Sequence, residues 1–96
     1  MRYYHSEEIP KDFSGYCYIE STQEHQWRLN GKLHRLDGPA VIYDSGTEVW
    51  YKHGMFHRLD GPALFSKKFS GKYWINDKPV SVKDFYNHPL VLKHKL

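Results

Sequence analysis

The sequence predicts a mainly β protein: an antiparallel meander of β-hairpin repeats that ends in a short C-terminal helix. Three observations predict this class. A segment of 17 residues occurs twice, short strand-like runs alternate with turn sequences throughout residues 15–80, and helical periodicity is confined to residues 81–90. Because short strands joined by tight turns pair with their neighbours along the chain, we expect one sheet with one hairpin per repeat.

The duplication is the strongest feature of the chain. Residues 27–43 align with residues 50–66 at a constant offset of 23, and nine of the 17 aligned positions are identical. The identical positions include His-Arg-Leu-Asp-Gly-Pro-Ala at residues 34–40 and 57–63, which we call the shared string. A repeated unit of this size is expected to bury its apolar face by stacking on the next copy. The full units lie near residues 24–46 and 47–70.

Weaker copies flank the two full units. Upstream, residues 15–19 lie 23–24 residues before residues 39–42 and form a weaker copy of that stretch. Downstream, Trp74 follows Trp50 at an offset of 24, which requires one inserted residue near residues 67–71. Because a stack of repeats needs atypical terminal copies as caps, these half units fit a single array over residues 15–80.

Each unit contains two sequences that predict tight bends. Asn30-Gly31 is a strong hairpin signal, because both central positions of a type I′ turn need a positive φ. His53-Gly54 and Asp77-Lys78 take the equivalent places in the next units. Asp37-Gly38-Pro39 and Asp60-Gly61-Pro62 predict a second turn, in which glycine supplies conformational freedom and proline cannot donate to a strand ladder.

The last sixteen residues break the strand pattern. Ser81 can cap a helix, with Asp84 three positions later completing a weak capping box. An apolar stripe at helical spacing follows, formed by Val82, Phe85, Tyr86 and Pro89. We expect one short helix over residues 81–90, packed across the end of the sheet, and a solvated tail over residues 91–96.

Composition and charge exclude several classes of protein. The 96 residues suffice for one domain, and their 3 Trp, 8 Tyr and 5 Phe are more than a disordered chain carries. The sequence has no apolar run close to the about 20 residues that a membrane span needs. Cys17 is the only cysteine, so it cannot form an internal disulfide, and the N-terminus lacks the pattern of a signal peptide. We therefore expect a cytoplasmic protein.

The hairpin register predicts that aromatic and imidazole side chains meet on one face. Counting outward from Asn30-Gly31 pairs Trp27 with His34, and the same count in the second unit pairs Trp50 with His57. Directly paired residues project to the same face of a sheet. In the third unit the equivalent pair would be Trp74 and Ser81, without the histidine.

Two interpretations of this row stay open. In the first, tryptophan and histidine pack across the hairpin, the histidine bonds a turn carbonyl, and Asp37 and Asp60 cap their own turns. In the second, the row forms a groove that binds a planar or anionic ligand by stacking and bidentate hydrogen bonds. The candidate binding residues are Trp27, His34, Arg35, Trp50, His57, Arg58 and Trp74.

Catalysis, metal binding and nucleic-acid binding have less support. The arrangement of His34 with Asp37 is duplicated, and neither a serine nor a cysteine nucleophile lies in a matching motif. The sequence has no metal-ligand spacing, and the arginine after each shared histidine would repel a cation. The net charge of +3 is modest, and the aspartates of the shared string partly neutralise its arginines. We therefore predict no enzyme activity, no cofactor and no metal, and for Cys17 an apolar packing role.

The repeat resembles the MORN family, whose units carry tryptophan, glycine, histidine and glycine in this order. Trp27, Gly31, His34 and Gly38 take those places in the first unit, and the second unit repeats them at an offset of 23. The shared string departs from the family pattern after the histidine. This variant is similar to MORN-like repeats of large bacteriophages and other DNA viruses, and the resemblance covers roughly residues 15–80.

The resemblance implies a binding or scaffolding role and says little about activity. We expect a non-enzymatic protein-binding module that presents an aromatic-rich sheet face, because Tyr, Trp and Arg are enriched in interface hot spots. The viral resemblance implies an accessory protein that binds a host protein and inhibits or redirects it, for example in host defence. We also expect self-association through exposed edges, and no membrane partner. The alternative is a protein that sequesters a nucleotide-like small molecule in the Trp/His/Arg groove.

Overall fold

The computed structural model of the protein describes residues 1–96, apart from the side chains of residues 69 and 70. The strands are β1 (Arg2–Tyr3), β2 (Gly15–Ile19), β3 (Glu24–Leu29), β4 (Lys32–Leu33), β5 (Val41–Tyr43), β6 (Glu48–Val49), β7 (Tyr51–Lys52), β8 (Met55–Phe56), β9 (Leu64–Ser66), β10 (Phe69–Ile75) and β11 (Lys78–Val80). The helical segments are a 3-10 turn (Ser6–Glu8), α1 (Val82–Tyr86) and α2 (Pro89–His94). The predicted class, a mainly β chain of antiparallel hairpins with a helical C-terminus, is confirmed.

The strands form one principal sheet with a small ribbon beside it. The order in the sheet is β1, β2, β3, β5, β6, β9, β10 and β11, and β4 pairs with the end of β3 near its turn. Neighbours are antiparallel, except that β1 runs parallel to β2. Strands β7 and β8 form the two-stranded ribbon. The N-terminal strand had no signal in the sequence, because two residues are too few to show a pattern.

The two full units have matching backbone connections. The main-chain N–H of Trp27 donates to the carbonyl of Ala40, and that of Trp50 donates to Ala63, at 2.8 and 2.7 Å. Both alanines are fully buried. The last residue of each shared string thus returns the chain to the strand that opened the hairpin.

The third, partial unit keeps the spacing of 23, so the predicted offset of 24 is wrong. The main-chain N–H of Arg35 donates to the carbonyl of Tyr51, and that of Arg58 donates to Trp74, both at 3.3 Å. Trp74 is therefore equivalent to Tyr51, and Tyr73 takes the place of the tryptophan of the full units. The prediction had matched tryptophan to tryptophan and so shifted the unit by one residue.

The last hairpin turn also differs from its prediction. Asn76 and Asp77 have φ values of 48° and 70°, so they form the turn, and Asp77-Lys78 does not. Trp74 pairs with Pro79 and not with Ser81. This turn needs two residues in the left-handed region without glycine, which asparagine and aspartate tolerate better than other side chains.

The predicted insertion near residues 67–71 leaves the repeat length unchanged. Ser66 pairs with Phe69 across a turn that is one residue shorter than the corresponding turn of the first unit. The register then shifts between Phe69 and Lys72, which adds one residue to β10. The shorter turn removes one residue and the register shift in β10 adds one, so the spacing of the repeat stays at 23.

The C-terminal segment forms two helices where one was predicted. The Ser81 hydroxyl accepts a hydrogen bond from the main chain of Asp84 at 3.1 Å, as a helix cap requires. Helix α2 starts separately at Pro89, a residue that fits the first helical position. The ring of His88 caps it by accepting from the main chain of Leu90 at 3.1 Å.

The tail predicted over residues 91–96 is wrong for most of its length. Helix α2 continues to His94, and Val91 is fully buried. Val91 packs with Phe85 and Ile75 in a cluster at this end of the sheet. No apolar stripe is visible in the sequence here, because a single buried residue in a short helix leaves no periodicity.

The sheet has two faces that are covered at opposite ends. The front face carries Cys17, Gln26, Val41, Val49 and Leu64, which lie in register across the strands. Ile9 and Phe13 cover its N-terminal end by packing on Cys17. The back face carries Trp27, Trp50, Tyr73 and Ile75, since neighbouring residues of a strand point to opposite sides. The helices cover the C-terminal end of the back face, where Ile75 is buried.

Candidate functional site

Each shared string holds the hairpin turn of the next unit through its histidine. The ring Nδ1 of His34 accepts a hydrogen bond from the main-chain N–H of His53 at 2.9 Å. The ring Nδ1 of His57 accepts from the main chain of Asn76 at 3.0 Å. Both donors are the first residue of a turn in the left-handed region. The histidine therefore accepts from a turn N–H of the following unit, and the expected bond to a turn carbonyl is wrong.

The arginine after the histidine closes its own loop. The guanidinium of Arg35 stacks on the Trp27 ring at 3.9 Å, and Arg58 stacks on Trp50 at the same distance. Arg35 donates through Nη1 to the Pro39 carbonyl at 3.2 Å, and the second unit repeats this bond at 3.1 Å. The loops are thus held between a cation–π contact and a charge-assisted hydrogen bond.

The shared aspartates accept from these arginines. Arg35 Nε donates to Asp37 at 3.3 Å, and Arg58 Nε donates to Asp60 at 2.8 Å. The aspartate side chains are 89% and 57% exposed, so these ion pairs contribute little to the free energy of unfolding. They orient the guanidinium more than they stabilise the fold.

The shared glycines are required by close packing and not by a positive φ. Gly38 and Gly61 both lie outside the left-handed region. A Cβ atom on Gly38 would lie 3.0 Å from Cζ of Arg35, and one on Gly61 would lie 2.8 Å from Cζ of Arg58. The Cβ atom of any other residue would therefore crowd the arginine that stacks on tryptophan, and the guanidinium would have to shift. We expected glycine at Gly38 and Gly61 for its conformational freedom. A positive φ occurs instead at Gly31 and Gly54, whose φ values are 82° and 81°.

The surroundings of the shared histidines favour their neutral form. Burial lowers the pKa of His34, and the nearby His53 and Lys52 lower it further. Burial also lowers the pKa of His57, again with a contribution from Lys52. An imidazole that accepts at Nδ1 must carry its proton on Nε2, so protonation of Nδ1 would break the bond to the next turn.

The structure brings four of the seven candidate binding residues together; the arginines and His57 are engaged within the repeat, whereas Trp50 Nε1 is buried without a hydrogen-bond partner. Arg35, Trp50, His57 and Arg58 line a cleft of about 250 Å³ on the back face, which we call the basic cleft. Within it, one face of the Trp50 ring is covered by Arg58. Stacking of a planar ligand on that face would first require the guanidinium to leave.

Trp74 does not join the tryptophan row. Its ring lies 4.8 Å from that of Phe56, and the Phe56 ring lies 4.7 Å from that of Tyr51. These three rings form an aromatic ladder that runs from the second unit to the third on the front face. Tyr73 stands in the back-face row instead, where it packs near Phe85.

The front face also carries an open groove whose residues were not predicted from the sequence as binding residues. It has a volume of about 420 Å³, and we call it the front groove. Its lining is formed by Tyr43, Ser45, Thr47, Val49, Tyr51, Phe56 and Leu64. Counting outward from His53-Gly54 pairs Tyr51 with Phe56, and this pair was the available signal in the sequence.

A polar network fastens the turn between β5 and β6 to the neighbouring strands. Asp44 accepts from the Tyr18 hydroxyl at 2.7 Å and from His25 Nε2 at 3.1 Å. His25 Nδ1 accepts from the Tyr16 hydroxyl at 2.7 Å. The bond to Asp44 raises the pKa of Tyr18. Nothing in the sequence marked this set, because its members come from three separate segments.

Cys17 and the acidic residues offer little for metal or thiol chemistry. Cys17 is fully buried, and desolvation raises the pKa of its thiol. Across the part of the chain that the structure describes, His, Cys, Asp and Glu residues do not converge in a group of three that could hold a metal ion. Within the same part, none of the helices has the length and apolar character needed to cross a membrane.

Comparison with known proteins assigns no relative to this arrangement. Neither a protein-family model nor a curated protein nor a solved structure matches the chain.

Proposed function

We propose that the chain is a non-enzymatic protein-binding module that docks a partner on the aromatic front groove. The observation that carries the proposal is an open, mostly apolar surface in the middle of the sheet, lined by Tyr43, Tyr51 and Phe56. Tyrosine and other aromatic side chains give large contact area at a low cost in conformational entropy. The hydroxyls of Ser45 and Thr47 at the same groove can orient a partner by hydrogen bonds.

The engagement of the shared residues supports this choice of surface. His34, Arg35, His57 and Arg58 all make contacts that build the repeat. A side chain that both shapes the fold and binds a ligand would have to exchange one contact for the other. In the front groove, Tyr51 and Phe56 also contact one another and Trp74, but a partner that packs on their exposed sides leaves these contacts in place.

The MORN-like resemblance extends the proposal to the setting. A viral accessory protein that captures a host protein, and so inhibits or redirects a host process, needs no active site. A small rigid sheet with one aromatic groove suits that role, because a preorganised surface limits the entropy lost on binding.

The test uses two substitutions that introduce the same cationic side chain on opposite faces. Thr47→Arg places a bulky cation in the front groove, whereas Phe65→Arg places one on the back face, where the side chain is 43% exposed. We expect the immobilised protein to retain a defined protein from a host lysate, Thr47→Arg to abolish retention, and Phe65→Arg to preserve it. Equal retention by both variants, or none by the unmodified chain, would refute the proposal.

A second candidate function, sequestration of a nucleotide-like ligand, is favoured by the basic cleft. Two arginines, two histidines and a tryptophan are among the residues that line it, which matches the chemistry of a phosphate and a base. A nucleotide that binds should raise the melting temperature by mass action, and Arg58→Ala should remove the rise. Unchanged melting temperatures across nucleotides at high concentration would eliminate this candidate.

A further inference from the structure

The same leucine of the shared string has opposite surroundings in the two units. Leu59 is half-buried and packs against the cluster of Ile75, Phe85 and Val91, so the C-terminal helices partly cover it. Leu36 is 81% exposed. Full burial of a leucine is worth about 1.5–3 kcal/mol relative to exposure. The molecule therefore contains a covered and an uncovered version of one repeated surface.

The uncovered version borders the basic cleft. Leu36, Trp50 and Lys52 line the cleft together with His94. His94 is the last residue of α2, so the cleft begins where the helical cover of the second unit stops. The two versions of the surface are thus continuous along the back face.

The repeat offset shows how the two versions differ chemically. Moving back by 23 residues, Tyr73 becomes Trp50, and a large aromatic ring is kept. Ile75 becomes Lys52, so a buried aliphatic side chain is replaced by a cation. A segment that covered the first unit as the helices cover the second would need an apolar residue against Leu36 and a negative charge against Lys52.

The charges around the cleft favour an acidic occupant. Arg35 and Arg58 each pair with an aspartate of their own loop. Among the side chains that the structure describes, Lys52 has no carboxylate within ion-pair distance. Lys52 also contributes to the lowered pKa of His57, which lines the same cleft.

We propose that the basic cleft binds an acidic amphipathic helix of a protein partner. One bulky apolar side chain packs on Leu36 and Trp50, and a carboxylate one helical turn away pairs with Lys52. The inference rests on the proposed function only in taking the chain to be a binding module, because it uses the opposite face of the sheet.

A second copy of the chain matches the cleft poorly. Its own covering helix α2 carries Lys93 in its last turn and would bring a cation toward Lys52. Like charges brought together at an interface disfavour association. The partner helix therefore has the pattern of α2 with the charge reversed.

The probe for this site is a displayed library of random peptides of about 16 residues, a length at which a helix forms mainly on binding. Selection on the immobilised full chain should enrich peptides with an acidic residue three or four positions from a bulky apolar one. Leu36→Ser and Lys52→Glu should each weaken binding of a selected peptide by at least about tenfold. Reversal of the peptide's acidic residue to lysine should restore binding to Lys52→Glu.

Two matched controls separate the site from general effects. Val82→Ser removes an apolar side chain that is 55% exposed, and Lys83→Glu makes the same charge change on α1. Both should leave peptide binding unchanged. Because Leu36 is exposed, Leu36→Ser should also leave the melting temperature unchanged, which shows that any loss of binding does not come from unfolding.

The proposal is overturned if selection enriches no peptide, if the enriched peptides lack acidic residues, or if they bind Leu36→Ser and Lys52→Glu normally. A nucleotide or a second copy that occupies the cleft in preference to the peptides also overturns it. Thr47→Arg distinguishes the two proposals. Loss of a partner with Thr47→Arg alone supports the front groove and not the cleft, and loss of peptide binding with Leu36→Ser alone supports the cleft and not the groove.

Discussion

Substitution of Gly61 by alanine should destabilise the protein through Arg58. The backbone of Gly61 lies outside the left-handed region, so alanine would be tolerated there if only the backbone mattered. The new Cβ atom would lie 2.8 Å from Arg58 Cζ and 3.1 Å from its Nε. Arg58 must then move away from the Trp50 ring and the Pro62 carbonyl.

The size of the effect follows from the contacts that Arg58 loses. The cation–π contact is worth about 0.5–2 kcal/mol, and a hydrogen bond from a charged group about 1.5–3 kcal/mol when fully buried. Arg58 is 21% exposed and its ion pair with Asp60 is screened, so we expect a loss of about 2 kcal/mol in the free energy of unfolding. For a domain of this size the melting temperature should fall by about 10 °C.

A double-mutant cycle tests this reasoning. Urea unfolding, followed by tryptophan fluorescence, gives the free energy of unfolding of Gly61→Ala, Arg58→Ala and the double variant. Once Arg58 is removed, Gly61→Ala should cost nothing and can stabilise by up to about 1 kcal/mol, because alanine restricts the unfolded chain. The expected coupling is about 2 kcal/mol. An equal cost of Gly61→Ala with and without Arg58 would refute the reasoning.

Three further predictions concern the leucines, the turn glycines and the histidines of the repeat. Leu59 and Leu36 occupy the same position of the repeat but differ in burial. In urea unfolding, Leu59→Ala should lower the free energy of unfolding by about 1–3 kcal/mol and Leu36→Ala by less than about 0.5 kcal/mol. Equal losses would contradict the assigned burial. Gly31→Ala should destabilise more than Gly54→Ala in thermal melts, because both have a positive φ but only at Gly31 would the Cβ overlap the Lys11 carbonyl. Burial lowers the pKa of His34 and His57 in the folded state, so the unfolded chain takes up protons at a higher pH than the folded chain does. The free energy of unfolding should therefore fall as the pH drops below about 6.5. Replacement of both histidines by asparagine should flatten this dependence in urea titrations, and an unchanged slope would contradict it.

The repeat and its hairpins could be predicted because their causes are local. Asn30-Gly31 and His53-Gly54 form turns in the left-handed region, as their glycines indicate. The third turn lacks glycine, so the third unit was aligned on the large side chain of Trp74. This alignment is wrong by one residue. Turn chemistry at Asn76 would have corrected it, because asparagine tolerates a positive φ better than lysine does.

The parts that the sequence could not predict depend on contacts between distant segments. The packing of Ile9 on Cys17, and of Val91 on Ile75, joins short pieces that show no periodicity of their own. The stacking of Arg58 on Trp50 explains a glycine that turn statistics attribute to conformational freedom. The same contact engages Arg58, which the sequence alone predicts as a candidate for ligand binding.

The central claim is that both copies of the shared string do the same structural work, each holding the turn of the following unit through its histidine. Long-range proton–nitrogen correlation spectra of the imidazole rings test this most directly. At neutral pH His34 and His57 should both be neutral, with the proton on Nε2 and a hydrogen-bonded Nδ1. A proton on Nδ1 in either ring, or different tautomers in the two rings, would contradict the claim.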